Sequence, residues 1–426
     1  MMDVQVSALP GAFPAQGMVL RAVCCIVLLS GMNAAFWAPA LADVLSGFLE
    51  ASPPIEFANR DFANYWLSGR LAHSGNLDQL ATQVSHQSSL EAAFGLSGME
   101  PRNWSYPPHM LLVTWPLGFF SYPVAYILFM ILTGGWFVWT VRSGIARTGV
   151  RNADLTFGLV LLLLAPFICL QVLAGQNGFF FGAALLQALL WRKSRPVAAG
   201  LMIALLSMKP QLGIMLPVLL LFERRFATIL WTVLFSAGLV AWSVLAFGAG
   251  PWATFFEYAL PYQQYVAAHW EGQFLYMMPT WFGAFRAAGL GHETALWLHL
   301  AIALPLVAAG VVALWRNPDP MLRACLALAC TFVLTPYAFT YDLGALLALV
   351  AIRFVDRAGD GPGGWVRPVS LALVFGLPLW TPLLGRPEAL LLLPPFVLGA
   401  LLLLFVLPDL RAFNRPDMAT GAARVP

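Results

Sequence analysis

Apolar runs dominate the chain from residue 18 to residue 407, and they fall near residues 18–41, 109–141, 154–174, 179–191, 196–208, 212–222, 226–247, 296–315, 321–336, 343–352, 366–384 and 389–407. A helix needs about 20 apolar residues to cross a bilayer, so this pattern predicts an all-α, polytopic transmembrane protein. About twelve spans are expected, in a single membrane domain over residues 1–426, with short helices on its outer face. Two runs are too short to cross alone: 196–208 and 212–222 have 13 and 11 residues and meet at Lys209-Pro210-Gln211. Irregular backbone at membrane depth is tolerated only against protein or a watery cavity, so this hairpin implies a cavity open to the outer face. The first run ends in Ala40-Leu41-Ala42, which fits a signal cleavage site, but its length favours an uncleaved first helix.

The connections alternate in charge. With Arg21, the arginine-rich connections at 142–151, 192–195, 224–225, 316–323 and 353–367 and the tail hold 17 of the 23 basic residues. Six remain on the other side: Arg60, Arg70, Arg102, Lys209, Arg286 and Arg386. Short cytoplasmic loops carry such an excess, so both termini are expected in the cytoplasm of a cell whose inner membrane holds the protein. Two long polar connections, residues 43–108 and 248–291, are then periplasmic loops. Within the first, Phe62, Tyr65, Trp66 and Gly69 have the spacing of one helix face. The second mixes Tyr258, Tyr262, Tyr265, Trp270 and Tyr276 with Gln263, Gln264, His269 and Glu271, which suits a headgroup-level aromatic belt or a sugar-stacking surface.

Composition removes the other classes. Of 426 residues, 60% are hydrophobic and 10% charged, the net charge is +3 and the mean hydropathy is +0.76. Soluble domains carry about 25% charged residues, so a soluble enzyme, a coiled coil and disorder are excluded. A charge of +3 gives no reason to expect nucleic acid. All five cysteines lie in apolar runs, which argues against a disulfide framework or a zinc site.

The residues able to carry chemistry fall at the outer ends: Asp61, His109, Gln176, Asn177, Lys209, Gln211, Tyr341 and Asp342. Most also have a plainer reading. Asp61 and Asp342 are placed to cap helices, His109 to sit at the interface, and Gly175-Gln176-Asn177-Gly178 to form a tight turn. Lys209 resists such a reading, because an ammonium between two incomplete apolar segments needs an anionic partner or a route to the surface.

Five motifs, taken in order, resemble glycosyltransferase family 87. Asp61-Phe62-Ala63-Asn64-Tyr65-Trp66 with Gly69-Arg70 is similar to its D-F-x-x-Y-x-x-x-G-R stretch, and Tyr106-Pro107-Pro108-His109 to its Y-P-P motif. Gly175-Gln176-Asn177-Gly178 and Lys209-Pro210-Gln211-Leu212 look like its G-Q-N and K-P-Q signatures, and Pro336-Tyr337 with Tyr341-Asp342-Leu343 like its P-Y…Y-D-L.

The resemblance implies a GT-C fold whose site faces away from the cytoplasm. It implies transfer of a sugar, mannose by association, from a polyprenyl-monophosphate carrier to an acceptor hydroxyl of a glycolipid or glycan, with inversion. Asp61 takes the position of the general base, and Tyr65, Arg70, His109, Gln176, Asn177, Lys209, Gln211, Tyr337, Tyr341 and Asp342 those of donor or substrate contacts. An inverting transfer needs one base and no carboxylate nucleophile. A lysine near the leaving phosphate removes the need for a metal, so neither metal nor cofactor is expected, and the partners are the two substrates and membrane lipids. Two rivals stay open at this point: a lipid-linked sugar flippase, and a ligase or polymerase acting on lipid diphosphates.

Overall fold

A computed structural model describes residues 55–150, 152–356, 372–378 and 391–413, with single positions at 38 and 42. The first apolar run, the turn near residues 359–364 and most of run 366–384 lie outside the described residues. Within them all regular structure is helical. In chain order the main helices are α1 (Phe62–Ser74), α2 (Gln83–Phe94), α3 (Tyr122–Ala146), α4 (Ala153–Ala174), α5 (Gly178–Trp191), α6 (Pro196–Leu205) and α7 (Leu216–Phe222). They continue as α8 (Phe226–Phe247), α9 (Leu260–His269), α10 (Trp281–Ala287), α11 (His292–Arg316), α12 (Pro320–Leu334), α13 (Gly344–Asp356) and α14 (Leu393–Phe413).

Four of these, α3, α4, α8 and α11, are long and apolar enough to cross a membrane; six further apolar stretches are shorter. The expectation of about twelve spans therefore resolves, among the described residues, into full-length and partial helices. The break between α6 and α7 shows the cause. Leu206–Met208 and Pro210–Gly213 tighten into 3₁₀ turns around Lys209, because Pro210 has no N–H to continue a helix.

Helices that are apolar all round belong inside. Phe181, Ala183, Ala184, Leu185 and Leu186 of α5, the α12 stretch from Ala324 to Cys330, and Leu346–Leu349 of α13 are all buried. By contrast α8 buries only Thr228 and Ser243; Leu230, Val233, Trp242 and Leu245 stand exposed, as side chains in contact with hydrocarbon do. It is held to α6 by a close approach at Gly200, where a Cβ would come within 2.6 Å of Trp231 Cβ, the way small residues let membrane helices meet.

The two sets of connections segregate. Arg192, Glu223, Arg225 and Arg323, from three arginine-rich connections, meet at one end of the bundle. Asp61, Gln176, Lys209 and Asp342 gather at the opposite ends of the same helices. As the spacing predicts, α1 turns Phe62, Tyr65, Trp66 and Gly69 inward. It lies flush on the turn Trp115–Phe119, because Gly69 faces Gly118 and a Cβ on either would strike the other's backbone.

Candidate active site

The site is assembled on the C-terminus of α4. Helix ends leave carbonyls without intrahelical partners, and here they receive the segment before α1: Arg60 Nη1 donates to Leu173 O at 2.8 Å, and the Asp61 N–H to Ala174 O at 3.0 Å. Gly175 ends α4 in the left-handed region at φ +65°, and a Cβ there would lie 2.7 Å from Phe62 Cβ. Glycine is thus required twice over at this turn. Beyond it, Gly178 opens α5 so close to the C-terminal motif that a Cβ would fall 2.0 Å from Tyr341 O. Gln171 clamps the same junction, donating to Tyr341 O at 2.6 Å and accepting from Gly178 N at 3.0 Å.

Asp61 does not cap α1. Its backbone is already helical (φ −62°, ψ −22°) and its side chain takes no N–H of the helix. The carboxylate instead accepts from Arg102 Nη1 on one oxygen and from Gln176 Nε2 on the other. Arg102 spreads its fork, giving its second nitrogen to Asn59 O.

A directed chain of hydrogen bonds leads to that carboxylate. Tyr65 donates its one hydroxyl proton to Gln176 Oε1 at 2.9 Å. Its 3.1 Å contact with the Tyr106 hydroxyl must then be donated by Tyr106, which itself accepts from Asn177 Nδ2 at 2.7 Å. Burial holds the Tyr65 phenol well above its ordinary value, with the neighbouring Tyr106 acting in the same direction, so it stays a donor. Asp61 is left as an acceptor at the end of the chain, with its side chain 34% exposed.

Lys209 has the anionic partner that its position demands. Its ammonium meets Asp342 Oδ1 at 2.5 Å, with the two side chains 6% and 0% exposed, and lies 4.9 Å over the Tyr341 ring. Tyr341 in turn stacks on Phe339 at 5.0 Å. Of three N–H donors, Lys209 gives one to Asp342, so two can point at a ligand. Of the two solutions open to this lysine, the packing takes the ion pair and not the route to the surface. The plain capping role of Asp342 is corrected as well. Its second oxygen takes the Phe339 N–H at 3.4 Å inside the turn, while the first neutralises Lys209. Asp61 and Tyr106 both lie within electrostatic reach of Lys209 and of Tyr341, so carboxylate and ion pair belong to one constellation.

Other sequence candidates fall outside it. Arg70 is exposed and rests on the Trp66 ring at 5.3 Å. Tyr337 packs against Phe282 at 4.9 Å in a separate apolar cluster. Gln211 is half-buried on the turn beyond Lys209, without a side-chain hydrogen bond to the group. His109 sits beside the constellation: its Nε2 meets Ser207 Oγ at 2.9 Å and its ring stacks on Trp252 at 5.6 Å. Ser207 gives its own proton to Ala204 O, so His109 is the donor.

Arg102, Tyr106 and Gln171 join the site without being among the sequence candidates. Each carries a signal nonetheless: Arg102 is one of few cations outside the arginine-rich connections, Tyr106 opens the Y-P-P motif, and Gln171 is the one amide in an apolar stretch from Phe157 to Ala174.

The fold and the polar end of the bundle define a helical membrane protein with a buried lysine and a partly open carboxylate at one end. The family model of glycosyltransferase family 87 matches residues 104–336. That is more than half of the chain, which belongs to this family and is a membrane glycosyltransferase. The matched stretch contains Tyr106, His109, Gln176, Asn177, Lys209 and Gln211, while Asp61, Tyr65, Tyr341 and Asp342 flank it. No curated protein and no solved structure matches the chain.

Proposed function

We propose that this glycosyltransferase has the GT-C architecture and moves a sugar, mannose by family association, from a polyprenyl-monophosphate carrier to an acceptor hydroxyl of a glycolipid or glycan. The reaction takes place on the periplasmic face of the inner membrane, with both termini in the cytoplasm. The observation that carries this reading is the pairing of an oriented, partly exposed carboxylate, Asp61, with a buried lysine, Lys209, in one electrostatic neighbourhood.

In this scheme Asp61 accepts the proton of the acceptor hydroxyl as its oxygen bonds to the anomeric carbon. The bond from that carbon to the carrier phosphate breaks on the opposite face, and the electron pair leaves with the phosphate. No covalent glycosyl-enzyme forms, so one carboxylate suffices. Lys209 offsets the charge gathering on the leaving phosphate with its two remaining donors. Because Asp342 already neutralises it, the lysine is held in place before the donor arrives, and a lipid monophosphate adds one anion to a net-neutral pair. Gln176 and Asn177, as uncharged amides, suit sugar hydroxyls. Turnover should persist in chelator, since Lys209 meets the phosphate without a divalent ion.

The test is to incubate the purified protein with a panel of polyprenyl-phosphate sugars and an acceptor lipid extract and to measure released polyprenyl phosphate. Release with one sugar of the panel, dependent on acceptor, supports the reading. Release with none of them, alongside turnover of a lipid diphosphate donor, sinks it.

A further inference from the structure

Far from Asp61, four cations converge on one carboxylate. Glu223, at the end of α7, has its side chain 1% exposed and takes a bidentate contact from Arg192 at 2.9 Å on each oxygen. Lys193 approaches the same carboxylate at 3.7 Å, and Arg225 and Arg323 each at 3.9 Å. Arg192 is fully engaged, since it also bonds Leu189 O and Pro320 O. The other three have only the distant share of an acid already satisfied. Nor can the neighbouring acid, Asp319, supply the balance, because Arg353 holds it at 2.7 Å.

Four positive charges against one negative leave an excess of three in a half-buried place. Such an excess is costly without a counter-anion. The Arg225 Nε is buried without a hydrogen-bond partner among the described residues. Burial, reinforced by the surrounding arginines, pulls the Lys193 ammonium below its ordinary value despite Glu223. The connection itself is strained: Arg224 has φ +54°, the one non-glycine residue at positive φ among those described, a conformation that persists where the surroundings enforce it.

We propose that this cluster binds the phosphate of an anionic phospholipid in the leaflet opposite the Asp61 site. Two features favour a lipid over a free anion. Leu221, Phe222 and Phe226, next to the cations in sequence, present exposed apolar side chains that acyl tails would cover. Basic pockets between helices at this level are also suited to lipid headgroups. The donor's own phosphate is excluded as occupant, because α5 separates the cluster from Gly178 by 14 residues, about 20 Å of helix.

The experiment compares the melting temperature of the full-length protein in phosphatidylcholine vesicles with that in vesicles containing phosphatidylglycerol as well. Wild type should gain about 3 °C or more from the anionic lipid, since a ligand of the folded state stabilises it by mass action. The pair Lys193→Gln with Arg225→Gln, which leaves the Arg192–Glu223 bridge intact, should abolish the gain, while Lys193→Arg with Arg225→Lys should keep it. Should the double glutamine variant fail to fold, Lys193→Gln alone should give a reduced gain. An equal gain in wild type and the charge-removing variants overturns the proposal. So does an equal shift from inorganic phosphate in neutral detergent, which would assign the site to a free anion.

Discussion

Arg102 and Asp61, 41 residues apart in the chain, are joined in an ion pair whose guanidinium is nearly buried and whose carboxylate is a third open to solvent. The asymmetry has a consequence. The cation is fixed by the first-loop fold, through Asn59 O and through its own N–H on Gln87 Oε1 at 3.0 Å. The carboxylate is therefore oriented from behind, with its free face turned to the polar end of the bundle.

Asp61→Asn keeps the side chain's size and removes the base. Because Asp61 does not cap α1, the melting temperature should change little, while single-turnover transfer at saturating donor and acceptor falls at least ~100-fold, the usual scale of positioned proton transfer. Activity within a few-fold of wild type would reject Asp61 as the base.

Arg102→Gln removes the orienting fork and leaves Asn59 O and one Asp61 oxygen without donors. Stability should fall by about 1–3 kcal/mol, and kcat should fall while donor binding is retained. Arg102→Lys restores the charge but can serve only one of the two acceptors, so its kcat should lie between the two. Equal turnover in all three proteins would show that the fork is structural only.

Removing Lys209 exposes the cost of its pairing. Lys209→Met strands Asp342, whose side chain is 0% exposed, and should destabilise the protein by about 3–5 kcal/mol. Adding Asp342→Asn should recover much of that stability and none of the donor affinity. Melting curves and donor-binding isotherms on both variants separate the two effects; donor affinity unchanged in the double variant would remove Lys209 from the phosphate.

Gly178→Ala places a methyl 2.0 Å from Tyr341 O and 2.3 Å from Gln171 Nε2. The α4–α5 turn and the C-terminal motif must then separate, with a loss of about 1–3 kcal/mol and a comparable loss of activity. Gly238→Ala, inside α8 where a Cβ meets nothing within 4 Å, should be neutral or stabilising by up to ~1 kcal/mol. Denaturation curves of the pair check the contrast.

Stability should also depend on acid through His86 of α2. Burial lowers its imidazole from 6.5 to about 4. A depressed histidine contributes stability that is fully present above pH 6.5 and is lost as the pH falls toward about 4. The shift corresponds to about 3 kcal/mol at the acid end. Melting temperatures between pH 7 and pH 4 should fall less steeply for His86→Gln than for wild type; identical slopes would place the acid sensitivity elsewhere.

Local features of the site are legible in the sequence alone. The spacing of Phe62, Tyr65, Trp66 and Gly69 announces α1, the Gly175–Gly178 motif a tight turn, and Lys209-Pro210 a break between two short helices, and all three are present. The reason is that hydrophobic period, proline and glycine act on the backbone within a few residues. Which side chains meet is a different matter. Arg70 and Tyr337 sit in motifs as clear as those of Asp61 and Tyr341, yet they face other surroundings, while Arg102, outside every motif, grips the carboxylate. Lys209 requires an anion, but only the packing of α5 against α13 and the turn at Thr340–Asp342 brings it one from 133 residues away. Burial makes a partner obligatory for such a charge, and the choice among carboxylates then belongs to the helix packing, which is a property of the whole chain.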